Sequence, residues 1–220
     1  SATASNMITG SYLDMVTVSA KAVGGDGGSG SGIEFNGQPG AAASLGIVNG
    51  TSADAAPVYV TGTAQGGNGG AAVDGAVAGN GANISLANAV SGATRGALTL
   101  SQDAVAGNGG GSTAALAAFP GLAGNASSSL TISNSVASSV DAFARAVGGS
   151  GGDVQNVNGS DAGAAFAVVN LTGHYGVNAS VAVNTGSADP HGSNVTGGSD
   201  GFNAGGAAHA TGNANATGTG

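Results

Sequence analysis

Four stretches of the chain align without gaps and share one alternation of apolar and polar positions. They begin at Val16, Val58, Leu98 and Val140, spaced 42, 40 and 42 residues apart. Two residues on stand Val18, Val60, Leu100 and Ala142, and further along the same parity Ala22, Ala64, Ala104 and Ala146. Between them lie Thr17, Tyr59, Thr99 and Asp141, then Ser19, Thr61, Ser101 and Phe143. A period of two predicts a strand with one buried face. The near-constant spacing predicts stacked repeats. The buried face tapers from Val and Leu to Ala, so the partner layer is expected to close in along each strand.

Each strand runs into Gly-Gly-[Asp/Asn/Ser]-Gly-Gly, with Ala106 replacing the first glycine once. Glycine permits positive φ, and Asp, Asn and Ser side chains bond back to local backbone. These segments, 24–28, 66–70, 106–110 and 148–152, therefore read as turns. The predicted structural glycines are Gly25, Gly27 and Gly28; Gly67, Gly69 and Gly70; Gly107, Gly109 and Gly110; and Gly149, Gly151 and Gly152. A looser second strand follows each turn, at residues 44–48, 84–88, 129–133 and 165–169. Residues 1–172 thus hold four repeats of about 42 residues. Residues 173–220 hold a degenerate repeat, with a strand at 176–184, and a Gly/Asn-rich C-terminal strand segment. The opening Ser1–Ser5 has the same small, polar texture as residues 208–217.

The pattern points to an all-β fold of stacked strands. A parallel β-solenoid with Gly-rich turns is the expected form, in which one repeat has room for two coils of about 21 residues. A β-sandwich, a β-arch stack and a polyglycine-II bundle of left-handed extended segments are the alternatives.

Composition sharpens this picture. Glycine makes up 45 of 220 residues, aromatics are 4% and there is no Trp. The apolar 41% is mostly Ala and Val, so a compact globule with a thick core is excluded. Disordered chains combine low hydrophobicity with dense charge, whereas here 6% of residues are charged and mean hydropathy is +0.19. Backbone pairing and close packing of small side chains answer both facts. A net charge of -8, with only Lys21, Arg95 and Arg145 basic, argues against nucleic acid as a partner. No apolar run approaches the ~20 residues of a membrane-spanning helix. Cysteine is absent. The first residue is Ser, not Met, and an export signal removed upstream is expected.

Several motif matches follow from glycine abundance alone. Gly25–Gly30 fits the dinucleotide fingerprint in letters, but residues 31–40 are a poor helix. Gly148–Gly152 fits the nucleophile-elbow pattern without an acid or base at any matching spacing. No catalytic residue is assigned, and the chain is read as a non-enzyme. Gly148–Asp153 opens like a calcium-binding nonapeptide repeat, yet Gln155 stands where an apolar anchor belongs. Asp26, Asp153, Asp161, Asp189 and Asp200 are the weak candidates for Ca2+; no cofactor is otherwise implied. His174, His191 and His209 lack zinc-ligand spacing. In-register stacking would set Asp103 beside Arg145. Eight Asn-x-Ser/Thr sequons, among them Asn83 and Asn125, suit a surface protein.

Alternating Val/Thr/Ala strands closed by Gly-Gly-[Asp/Asn]-Gly-Gly resemble the repeat regions of large Gly/Ala/Asn-rich bacterial surface proteins, of the adhesin and autotransporter-passenger type. The resemblance covers residues 12–172. It implies secretion to the cell surface, solenoid architecture, and adhesion or filament formation. The expected function is a structural subunit of an extracellular bacterial filament whose partner is itself. The alternatives are an adhesin stalk, with surface glycans or other cells as partners, and an ice- or surface-binding solenoid.

Overall fold

A computed structural model describes residues 2–10, 14–113, 119–154, 159–186 and 206–217. The described residues form strands and extended segments, with no helix among them. The outgoing strands of the repeats are β2 (Val16–Val23), β5 (Val58–Gln65), β9 (Ala97–Val105), β11 (Ser139–Val147) and β13 (Val177–Asn184). They form one all-parallel sheet in the order β13-β11-β9-β5-β2. Val16 pairs with Val58, Val58 with Leu98, Leu98 with Val140 and Val140 with Val177. The columns of the sequence are therefore the columns of the sheet.

The return strands are β1 (Ala2–Gly10), β4 (Ala43–Ser52), β7 (Ile84–Ala87), β8 (Val90–Ala93), β10 (Ala126–Asn134), β12 (Ala165–Gly173) and β14 (Ala208–Ala216). They are parallel as well, in the orders β1-β4-β8 and β14-β12-β10-β7. Both sheets meet at the second repeat's return rung, where Asn88 takes a left-handed φ of 49° and splits it into β7 and β8. Asn tolerates that conformation better than most residues. Each repeat passes once through the outgoing sheet and once through the return layer, so it makes one circuit and not two coils of 21.

The two layers enclose a thin apolar core. Val18, Val60, Leu98, Leu100 and Val140 meet Val48, Val90, Leu130, Val169 and Leu171. Nearer the glycines, Ala22, Ala64, Ala104 and Ala146 meet Ala43, Ile84, Ala126 and Ala165. Full burial of a Val or Leu contributes about 1.5–3 kcal/mol and Ala far less. Packing therefore weakens along each strand as backbone contact takes over.

Candidate functional site: glycine legs and open sheet edges

The Gly-Gly-x-Gly-Gly segments are not turns. Among the described glycines only Gly32 and Gly75 have left-handed φ, 85° each, and both lie beyond these segments at the tips. In the first two repeats the outgoing strand continues as an extended leg, reaches a tip near residues 32–34 or 74–75, and returns as a second leg. The short strands β3 (Gly30–Ser31) and β6 (Ala72–Val73) pair at the tips.

Hydrogen bonding in the legs repeats every three residues. The N–H groups of Gly24, Gly27 and Gly30 donate to the carbonyls of Gln65, Asn68 and Ala71 in the next repeat, at 2.8–2.9 Å. The same pattern links Gly66, Gly69 and Ala72 to Val105, Asn108 and Gly111. Bonds between the layers interleave with these. Ala41 and Gln38 donate to Gly25 and Gly28, and Gly67 and Gly70 donate to Ala41 and Gln38. A three-residue period in extended chain is that of a left-handed threefold helix. Glycine is needed here for space and not for a turn. A Cβ on Gly67, Gly107 or Gly149 would overlap the carbonyl of Gly25, Gly67 or Gly107, one repeat below. Gly70, Gly110 and Gly152 repeat this over Gly28, Gly70 and Gly110.

The one non-glycine position faces outward, and its backbone N–H is met by a side chain. Asp26 Oδ1 accepts from Asn68 N (2.6 Å), Asn68 Oδ1 from Asn108 N (2.9 Å), and Asn108 Oδ1 from Ser150 N (2.7 Å). The return legs do likewise, Asn80 to Leu122, Asn83 to Asn125 and Asn125 to Ala164. The expected local back-bond is thus a bond to the neighbouring repeat, 39–42 residues away. Replacing Asn68→Ala is expected to destabilise the fold by about 0.5–1.5 kcal/mol. The Asn108 amide would lose protection in hydrogen exchange, with a matching drop in the urea midpoint.

The sequence-derived candidates scatter across this frame. Asp26 serves the ladder just described. Asp153 and Asp161 lie on the fourth repeat's outgoing and return segments, and Asp189, Asp200 and His191 lie outside the described residues. Among the described residues no three His, Asp or Glu side chains form a group that could hold a metal ion. His209 stacks on Phe166 on the outer face of the return layer, and His174 packs edge-on to Tyr175. Arg145 Nη1 stands 3.0 Å from Asp103 Oδ2, as in-register stacking requires. The pair is partly exposed and contributes ~0–1 kcal/mol.

Two features were not singled out in the sequence. Gln102 is wholly buried, filling a column held by Ala20, Gly62 and Ala144 in other repeats. Its Oε1 accepts from Ala89 N (2.7 Å), and its Nε2 donates to Ser128 Oγ, Ser129 O and Leu86 O at 3.1–3.3 Å. It thereby repairs the rung broken at Asn88. A polar residue in an otherwise apolar column was the available signal. Ser160 is the second: its Oγ donates to Gly121 O and accepts from Gly152 N, tying a return leg to an outgoing one.

Among the described residues the stack is open at both ends. The outgoing sheet ends at β2 and β13, and the return layer at β1 and β14. β14 continues the buried column Ala165, Ala167 and Leu171 with Ala208, Ala210 and Ala214, yet all three are exposed. Such edges present unpaired N–H and C=O groups, a template for another chain. β13 carries neither a charge nor a proline to blunt it.

Comparison with protein-family models, with curated proteins and with solved structures finds no match to this chain.

Proposed function

We propose that this chain is a structural subunit of an extracellular bacterial filament or surface fibre, built as a parallel β-solenoid with polyglycine-II legs and self-assembling through backbone pairing. The observation behind the proposal is the pair of parallel edges left unpaired among the described strands, β2 with β1 at one end and β13 with β14 at the other. Strand addition to an exposed edge draws affinity from main-chain bonds and needs no pocket. The two ends differ, so contact between copies is head to tail. A head-to-tail contact that does not close on itself produces an open filament.

The proposed assembly has to proceed against a net charge of -8 on each copy, so it is expected to be favoured by screening salt. Electron microscopy of the purified chain tests it. Unbranched fibres are expected to form, and a monodisperse monomer at high concentration would refute the proposal. A stalk within a longer surface adhesin draws on the same in-register stacking. It predicts further repeats of about 42 residues in the same polypeptide and no association between copies.

A further inference from the structure

The lowest outgoing leg keeps glycines that the single chain does not need. In the upper repeats the equivalent glycines are buried, and a Cβ on any of them would strike the carbonyl of the rung beneath. Gly25 and Gly28 occupy the same columns in the lowest rung. Both are exposed, and a Cβ on either would meet nothing within 4 Å. Their φ angles lie outside the left-handed region, so backbone conformation does not demand glycine either. The return leg behaves differently. There the bottom of the column under Gly79 and Gly121 is Gln38, which carries a side chain.

We infer that a second copy of this chain covers the free edge of β2 and the underside of its glycine leg, with the copy's β13 parallel to β2 and its Gly186 beneath Gly25. This rests on the filament reading and specifies its junction. The upper end supplies the matching surface. Gly148 N donates to Asn184 O at 2.8 Å, which sets Gly186 in the Gly149 column, and a Cβ on Gly186 would overlap the Gly149 carbonyl. Keeping that register across the junction places Val177 opposite Val16 and Gly186 opposite Gly25. The Gly186 carbonyl then fills the space that only glycine leaves. Within the chain itself, the Ser19 carbonyl of β2 is held by Asn6 Nδ2 (3.1 Å), so the N-terminal segment is the rival occupant of this edge.

The junction has a topological consequence. Among the described strands, five outgoing rungs alternate with six return rungs, counting β7 and β8 as one. When β13 pairs with the next copy's β2, only one return rung fits between them. The β14 of one copy and the β1 of the next therefore compete for it, and one is displaced. The subunit rise is then five rungs at the strand spacing, about 24 Å.

The test compares Gly25→Ala with Gly67→Ala, the same column one repeat higher, using wild-type chain as reference. Gly25→Ala is expected to leave the monomer's thermal midpoint unchanged and to raise the critical concentration for fibre growth about tenfold or more. Gly67→Ala is expected to lower the thermal midpoint of the monomer itself. Cryo-EM of wild-type fibres should give the 24 Å rise. Normal fibre growth by Gly25→Ala, or a rise near 29 Å from six return rungs, overturns the junction while leaving the filament standing. A Gly25→Ala monomer with a lowered midpoint shows that the chain's own segment fills the space, and also overturns it. A wild-type chain that never polymerises removes both proposals.

Discussion

Gly107→Ala is expected to destabilise the fold by about 3 kcal/mol or more, although glycine-to-alanine changes at compatible φ usually stabilise by about 0.4–1 kcal/mol. The sign reverses because the new methyl would overlap the Gly67 carbonyl. Neither backbone can retreat. Gly107 N is bonded to Ala82 O at 2.9 Å, and Gly67 N to Ala41 O at 3.0 Å. Overpacked side chains relieve strain by changing rotamer, but two main chains pinned on both sides cannot. Urea denaturation gives the magnitude. Gly28→Ala is the control, since a Cβ there meets open space, and monomer stability should stay level or rise slightly. Equal losses at both positions would mean that glycine acts in the legs through flexibility and not through close approach.

Gln102→Leu should also destabilise the fold, for the opposite reason. The substitution keeps volume and adds apolar surface, so a core valued for hydrophobic burial would tolerate it. Instead it removes the acceptor of the buried Ala89 N–H and a donor to the Leu86 and Ser129 carbonyls, of which Ser129 O keeps its bond from Asn88 N at 2.9 Å. A buried group left unpaired costs about 1–3 kcal/mol, and a loss in that range, carried mainly by the Ala89 N–H, is expected. The damage should be local first. Amides around Ala89 would lose hydrogen-exchange protection before those of β2 and β5, because Gln102 Oε1 is the acceptor that holds the Ala89 N–H in the gap between β7 and β8. Retained protection at Ala89 in the Leu variant would mean that the rung holds without the side chain.

These two sites mark the boundary between what was legible in the chain and what was not. The strand columns could be read directly. Val16, Val58, Leu98 and Val140 repeat at fixed spacing with period-two alternation, and in a parallel in-register sheet equal columns become neighbours. The Asp103–Arg145 contact follows from the same rule. The taper from Val to Ala was legible too, since side-chain volume alone sets how near the facing layer can come. The glycine columns were visible but misassigned. A local reading of Gly-Gly-Asn-Gly-Gly favours a turn, because turn chemistry depends on neighbouring residues only. The deciding bonds join residues about 40 apart, as from Asn68 to Asn108, and local propensity does not contain them.

Sequence alone therefore determined that the chain is all-β, that its repeats stack in register, and which face of each outgoing strand is buried. These depend on periodicity and volume, which are properties of the chain itself. Tertiary structure decided that the glycines form straight legs, that the Asx side chains serve the next repeat, that Gln102 mends a broken rung, and that one circuit spans a whole repeat. Each of these depends on which backbone lies against which, and that is settled only when hydrogen-bonding groups and empty space are matched across the assembled layers.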